Sequence, residues 1–491
     1  MTTFADLGVP AALSKSLAAQ GINDAFPIQI KTLPDSLSGR DVLGRGRTGS
    51  GKTLAFALPL VSRLAESGAA RRAARKPRGL VLAPTRELAT QIDNTVRPLA
   101  NALGLNTTVI YGGVPQQRQE RALAAGVDIV IACPGRLEDL LRQGVISLSV
   151  VEITVLDEAD HMADLGFLPT VKKILNATPR GQRLLFSATL DNGVDKIVKA
   201  YLNNPVTHSV DEPKAAVSAM EHRVFAVADA GAKKQLVSAL ASGTGRRVLF
   251  TRTKHHAKKL AKSLTAEGIP AVDLHGNLSQ GARDRNLAAF SQGNVRVLVA
   301  TDVAARGVHV DDVELVVHVD PPTEHKSYLH RSGRTARAGA AGTVVTVTTP
   351  EQRRDVQKLM RAAGVTADID SVSPASPAVT DLVGEVAPKV HTPLPTERPT
   401  AGNRPKAAGS GGQGRRRRKP AADRESTGRR SAERTSSHAG SGGVRRTGQS
   451  AQSPRSGGTG RANGAGRAAG AGSAAHASAP RRSRRAAGSP R

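Results

Sequence analysis

Short, mostly apolar runs separated by helical stretches constrain this chain more than any other feature, because the pattern occurs twice. In the first half the runs are Val81–Ala83, Thr107–Tyr111, Asp128–Ala132, Ile153–Leu156 and Arg183–Phe186. They are continuous in apolar character rather than alternating, as strands buried on both faces of a parallel sheet are. Leu54–Leu64, Glu87–Leu103 and Arg118–Ala125 read as the crossover helices between them. After a polar joint at His208–Ala219 the pattern restarts with Arg247–Phe250, Ala271–Leu274, Val295–Val299, Leu315–Val319 and Thr343–Thr348. The expected fold class is therefore α/β, with two doubly wound parallel-sheet domains in tandem. The expected limits are 1–207 for the first domain, 208–219 for a linker and 220–366 for the second domain.

The pattern stops after about Ala363. Residues 367–400 are rich in Pro, Val and Thr, and 401–491 are mostly Gly, Ala, Ser and Arg, with no Phe, Tyr or Trp. The latter stretch holds 21 Lys or Arg against 3 Asp or Glu, so it carries +18 of the net charge of +29. Such a composition buries too little apolar surface to offset its ordering entropy, and 367–491 is expected to be a disordered basic tail. A basic excess of this size predicts a polyanionic partner, since each neutralised phosphate releases a condensed counterion. Anionic membrane is the weaker candidate, because a polybasic segment with no acyl chain or apolar helix anchors poorly. No run of about 18 apolar residues suggests a membrane span. Met1–Leu13 lacks the features of a secretory signal. The single Cys133 cannot form an internal disulfide, so a reducing, cytoplasmic location is expected.

Two motifs carry chemistry. Gly46-Arg47-Thr48-Gly49-Ser50-Gly51-Lys52-Thr53 fits GxxxxGK[ST] between a strand-like Asp41–Leu43 and an apolar helix. Its backbone N–H groups, from Thr48 to Thr53, would close around phosphate oxygens at a helix N-terminus. Lys52 would reach the β- and γ-phosphates of ATP, and the Thr53 hydroxyl would ligate Mg²⁺. Asp157-Glu158-Ala159-Asp160 follows the strand Ile153–Leu156 directly. Asp157 is assigned to Mg²⁺ and Glu158 to the attacking water.

With these motifs in place the chain resembles a DEAD-box RNA helicase of superfamily two, bacterial in type, over roughly residues 4–350. The resemblance implies two RecA-like domains and a set of roles. Phe4 and Phe26-Pro27-Ile28-Gln29 resemble the adenine-reading element, with Gln29 on the adenine edge and Phe4 stacked on the ring. Arg86 within Pro84–Ala89, Gly113, and Pro134 and Arg136 resemble first-domain RNA contacts. Asp160, His161, Ser187 and Thr189 resemble the coupling between hydrolysis and strand separation. In the second domain Thr251, Arg252, Gly276, Gln280, Arg283 and Thr301 resemble RNA-facing positions, and Gly307 and His309 lie in a nucleotide-contacting stretch. Arg334 and Arg337 resemble arginine fingers; three residues apart, they would share one face of a helix.

Three positions depart from the family pattern. Cys133 stands where Thr is usual, His309 where Asp is usual, and Ala336 where Gly is usual, the last of little consequence if that stretch is helical. His255-His256 with Lys258 and Lys259 reads as a solvated basic helix face, and Arg71–Arg78 as an exposed loop. The resemblance implies an RNA-dependent ATPase that opens short duplexes or remodels RNA–protein complexes, acting on single strands and short duplexes with little base preference. Ribosomal precursors and the RNA-decay machinery both suit such a partner profile. The rival readings are an RNA annealer or clamp led by the tail, and a DNA helicase with the same core.

Overall fold

The computed structural model describes residues 2–46, 49–68, 72–190, 192–210, 220–305, 312–336 and 342–390. The expected sites Thr48, Gly307, His309 and Arg337 lie outside the described residues, as does everything from 391 to 491, including the basic tail. Among the described residues no helix is long and apolar enough to cross a membrane.

Seven strands form the first sheet: β1 (Val42–Arg45), β2 (Gly79–Leu82), β3 (Thr107–Ile110), β4 (Ile129–Ala132), β5 (Ile153–Leu156), β6 (Gln182–Ser187) and β7 (Val206–Ser209). Seven form the second: β8 (Glu221–Ala226), β9 (Arg246–Phe250), β10 (Ala271–Leu274), β11 (Val297–Ala300), β12 (Val313–His318), β13 (Thr343–Thr348) and β14 (Ile369–Ser371). Every pairing is parallel. The orders β3-β4-β2-β5-β6-β1-β7 and β10-β11-β9-β12-β13-β8-β14 are the same order twice. The tandem doubly wound α/β fold is the one expected.

The apolar runs are continuous because the central strands feed two cores. Val81, Ala83, Ile129, Ile131, Leu184 and Phe186 pack on one face with the helices Lys52–Glu66 and Arg86–Ala102. Leu80, Leu82, Val130, Ala132 and Leu185 pack on the other with the helices Pro134–Arg142, Leu168–Asn176 and Asn192–Tyr201. The second sheet divides in the same way, with Val248, Phe250 and Val316 on one side and Leu249, Leu315 and Val317 on the other. Each fully buried aliphatic side chain contributes about 1.5–3 kcal/mol, so the two-sided sheets are the main source of stability.

Two expected boundaries shift. His208 and Ser209 belong to β7, in register with Gly44 and Arg45, so the first domain runs past 207. His208 Nε2 meets Asp35 at 2.7 Å, and Lys31 donates to the Ser209 carbonyl. The described part of the supposed tail is also structured. β14 pairs with β8, and a helix Pro377–Val383 buries Val379 and Val383 in the second-domain core. Pro377 sits at the first turn of that helix, where the missing N–H costs nothing. Buried Arg247 then donates to the carbonyls of Leu240 and Val383, holding the C-terminal ends of the helices Ala230–Ala241 and Pro377–Val383 together.

The basic loop 71–78 is tied down in its described part, at the end of the first sheet opposite the strand C-termini. Arg72 pairs with Asp128 at 2.8 Å, and Arg78 with Glu152 at 2.6 Å. Arg78 also donates to the Leu64 carbonyl.

Candidate nucleotide and RNA cleft

The motifs collect at the C-terminal ends of the strands, where a doubly wound sheet opens into crevices. Each turn from strand to helix is built for this. Thr85, Thr253 and Ser279 accept a backbone N–H two or three residues into the helices Arg86–Ala102, Lys254–Ala266 and Gln280–Ser291.

The phosphate loop leaves β1 and enters the helix Lys52–Glu66 through Gly51 at φ 89°. A Cβ there would strike Phe26 and Gln29, so both backbone angle and space require glycine. Fully buried Gln29 holds the loop: it accepts the Phe26 N–H at 2.8 Å and donates to the Gly51 carbonyl at 2.9 Å. Each end of its amide keeps one further hydrogen-bonding capacity for a base. Phe4 is placed differently from an open stacking ring. Its ring is only 3 % exposed, packed with Val9 and Leu13, and offers no face for stacking. Phe26, 49 % exposed and beside Gly51, is the aromatic ring open at this site.

Lys52 and Glu158 form an ion pair of 3.0 Å, both side chains buried. Burial works against the charge on each, but their mutual attraction wins: the ammonium is raised and the Glu158 carboxyl lowered. Asp157 moves the other way, pushed up by burial and by the neighbouring Glu158 charge. Glu158 has φ 50°, a left-handed angle costing about 1 kcal/mol for a non-glycine residue. Thr53 is half-buried on the same helix end as Lys52. Among the described residues no three His, Cys, Asp or Glu side chains converge on a metal site. A divalent ion held by Thr53 and Asp157 would thus take its remaining ligands from phosphate and water, as Mg²⁺ does.

Asp160 accepts both the backbone N–H and the hydroxyl of Thr189 at 2.8 Å. Ser187 donates its hydroxyl to the Thr189 carbonyl and accepts the Asp160 N–H. His161 donates its backbone N–H to the Asp160 carboxylate, and its ring lies 6.5 Å from that of His330 in the second domain. The four expected coupling residues are therefore one connected group.

Across the cleft, Arg334 is buried and its Nε donates to the His330 carbonyl at 3.2 Å. The helix His325–Ser332 has ended by then, so Arg334 stands in the turn that follows it, and Arg337 lies outside the described residues. Ala336 has φ 53°, a conformation that favours glycine, so its replacement of Gly is not neutral.

Several expected RNA contacts are engaged elsewhere. Arg283 donates to Glu87 at 2.6 Å and to the carbonyls of His275 and Ala304. Gln280 donates to Glu87 at 3.1 Å and accepts from Arg86 at 3.3 Å. Gln280 and Arg283 are buried and clasp the two domains together rather than facing a ligand. Thr251 is fully buried. Arg252, Gly113 and Gly276 are exposed, Arg86, Arg136 and Thr301 half-exposed, and Pro134 is buried at the first turn of the helix Pro134–Arg142. Arg136 has a buried Nη1 with no hydrogen-bond partner. Cys133 caps that helix without a side-chain hydrogen bond, and burial pushes its thiol up to about 12.

Sequence reasoning gave no individual role to Glu87, Asp302, Asp320 or Arg331. Arg331 grips both carboxylate oxygens of Asp302, donates to the Asp320 carbonyl and lies over the Phe250 ring at 5.2 Å. The signal was present, since Arg331 lies three residues before Arg334, Asp302 directly after Thr301 and Glu87 beside Arg86. Only tertiary pairing reveals what they do.

Comparison with known proteins agrees with this geometry. Residues 26–197 match the DEAD/DEAH box helicase model, and residues 232–339 the helicase conserved C-terminal domain. An ATP-dependent RNA helicase RhlB from Xanthomonas campestris is 38% identical over 80% of this chain and 67% of its own. A mitochondrial DEAD-box ATP-dependent RNA helicase 9 from Arabidopsis thaliana is 39% identical over 74% of this chain. The chain spans 60% of that plant protein and 50% of a chloroplastic maize relative, helicase 3B. The S. cerevisiae Dbp5 structure bound to RNA and ADP BeF3 superposes with a TM-score of 0.68 at 26% identity, over 78% of this chain and all of that one. With the motifs, the repeated sheet order and these relatives in agreement, the chain belongs to the DEAD-box helicase family.

Proposed function

We propose that the protein is an RNA-dependent ATPase that couples hydrolysis to local opening of short RNA duplexes or to remodelling of RNA–protein complexes. The observation that carries the reading is the composite surrounding of Glu158. Lys52 of the phosphate loop pairs with it, and His330 of the second domain adds to the field that keeps it ionised. Hydrolysis therefore depends on both domains.

In the structure Lys52 and Glu158 neutralise each other. An incoming triphosphate offers Lys52 a stronger partner, and transfer of the ammonium to the β- and γ-phosphates releases Glu158 from Lys52. Glu158 then orients a water and accepts its proton as the water oxygen bonds to the γ-phosphorus. The bond from that phosphorus to the β,γ-bridging oxygen breaks, giving ADP and phosphate. Arg334, with Arg337 as its expected companion, would stabilise the charge spreading over the transferred group, a contribution of about 10³–10⁵ in rate in related NTPases. Thr53 and Asp157 would hold Mg²⁺, which would supply charge neutralisation to the β- and γ-phosphate oxygens. The adenine would rest between Gln29 and Phe26.

RNA would cross both domains through Arg86, Gly113, Arg136, Arg252, Gly276 and Thr301, read mainly through phosphates and 2′-hydroxyls. Relatives solved with single-stranded RNA and AMP-PNP, such as Mss116p, support that choice of partner. The basic sequence beyond residue 390 suits a tether for RNA in the cytoplasm. A relative named as an rRNA helicase, RRP3 of Mycosarcoma maydis at 40% identity, makes ribosomal precursors the first targets to try.

The test is the steady-state ATPase rate with and without single-stranded RNA, with matched DNA and a Glu158→Gln control. Stimulation by RNA alone, lost in the variant, is expected. A rate indifferent to RNA, or surviving the substitution, overturns the reading. Strand annealing without ATP would then favour the annealer led by the tail.

A further inference from the structure

The helix Lys254–Ala266 begins directly after Arg252 and Thr253 at the cleft and runs back along the β10 side of the second sheet. Its sequence, KHHAKKLAKSLTA, contains no acidic residue. Ala257, Leu260, Ala261 and Leu264 are buried, while Lys254, His255, Lys258, Lys259 and Lys262 are exposed. Lys254, Lys258 and Lys262 stand at intervals of four residues, so they form one row with about 6 Å of rise between neighbours.

Three observations separate this row from an ordinary solvated face. Three other lysines of the domain have acidic neighbours: Lys233 meets Asp320 at 3.2 Å, Lys234 meets Glu267 at 3.6 Å and Lys358 meets Asp355 at 4.0 Å. Among the described residues, Lys258, Lys259 and Lys262 have none. The row is also continuous with the cleft, since Lys254 donates to Asn277 at 3.1 Å, beside exposed Gly276. At its other end the helix stops at Ala266, and the last described residue, Val390, donates to the Gly268 carbonyl at 2.9 Å. The sequence that departs from this point holds the +18 of residues 401–491.

We propose that the exposed lysine row of Lys254–Ala266 is an accessory RNA track, carrying the phosphate backbone of a strand from the second-domain side of the cleft toward the departure point of the basic C-terminal sequence. The inference rests on the cleft being an RNA site, as argued above. With no aromatic or amide side chain in the row, it grips charge and not sequence. It therefore adds affinity only for RNA long enough to leave the cleft.

The experiment uses the full chain with Lys258→Ala, Lys259→Ala and Lys262→Ala combined, all three outside the cleft machinery. Binding is measured against salt with a short RNA that the cleft alone holds and with one several times longer. Loss of up to three phosphate contacts should make the salt slope for the long RNA shallower by about 2 and weaken its Kd about tenfold at low salt. Binding of the short RNA and the maximal RNA-stimulated ATPase rate should stay unchanged. The Lys→Arg version should retain long-RNA binding. Removal of Arg353, Arg354 and Arg361 from the helix Arg353–Ala363, on the other face of the sheet, should leave the long–short difference intact.

If the lysine triple binds long RNA as wild type does, or if the arginine triple costs as much, the track is refuted. If wild type shows no RNA stimulation at all, it is the function proposed above that has failed.

Discussion

Cys133 and Ala336 show how a family position can keep its place in the fold and lose its local chemistry. At Cys133 the backbone has the extended angles of a helix N-cap, but the thiol makes no capping bond. A hydroxyl would supply one, so Cys133→Thr should stabilise the first domain by about 1 kcal/mol, read as a higher denaturant midpoint at unchanged m-value. No gain would mean that water already satisfies the helix end. The same burial that raises the thiol to about 12 should make Cys133 slow to alkylate at neutral pH in the native protein and fast in urea. Ala336, at φ 53°, should gain about 1 kcal/mol on substitution by glycine, seen as a rise of a few degrees in the second-domain transition. His318 adds a pH dependence. It is fully buried near Arg331 and His222, and burial, then those charges, hold its pKa well below the ordinary 6.5. Protonation therefore favours the unfolded chain. Stability should be unaffected above about pH 6.5 and fall progressively below it, and His318→Asn should flatten that part of the profile. An unchanged difference between the two proteins from pH 7 to 5 would refute this.

At the scale of elements, the sequence was legible where a strand is buried on both faces. The runs at β5 and β12 are apolar because each touches two helix layers. β7 reads Val-Thr-His-Ser and lies at a sheet edge, half-exposed, so its composition resembles a linker. β14 has three residues and exists because β8 offers a free edge. The helix Pro377–Val383 was hidden by the nearby prolines Pro374 and Pro377, which a composition argument counts as breakers, although Pro377 here starts the helix. The motif residues were legible because chemistry fixes them locally. Their clamps were not: Arg331 with Asp302, and Glu87 with Arg283, join segments distant in sequence. The short C-terminal elements yield a sharp test. A chain ending at residue 366 loses the buried Val379 and Val383, about 2 kcal/mol each, and strips a carbonyl partner from buried Arg247. Its second-domain melting transition should fall by about 10 °C. A chain ending at 390 should keep the wild-type value. Equal transitions for the two would mean that β14 and its helix are bystanders.

For the whole molecule the question is what holds two similar domains in a productive relation. Among the described residues, the polar contacts between them include Glu87 receiving Arg283 and Gln280. All three side chains are buried, so they are desolvated when the domains meet and hydrated when they part. Such a pair contributes little net stability, because the desolvation cost offsets the attraction. Removing one partner is different: Glu87→Ala leaves Arg283 charged and unpaired only while the domains are together. The penalty then falls on closure and not on the fold of either domain. A cost of about 3 kcal/mol would lower the closed population more than a hundredfold. The expected outcome is a steep loss of RNA-stimulated ATPase with melting transitions nearly unchanged, and a longer interdomain distance by fluorescence transfer in the presence of RNA and a non-hydrolysable ATP analogue. Reinstating an apolar match, Glu87→Met with Arg283→Met, should recover part of the closure, since it removes the stranded charge without restoring the ion pair. If Glu87→Ala instead lowered the melting transitions and left the distance alone, the clasp would be a fold element of its own domain, and the dependence of Glu158 on the second domain would need another source.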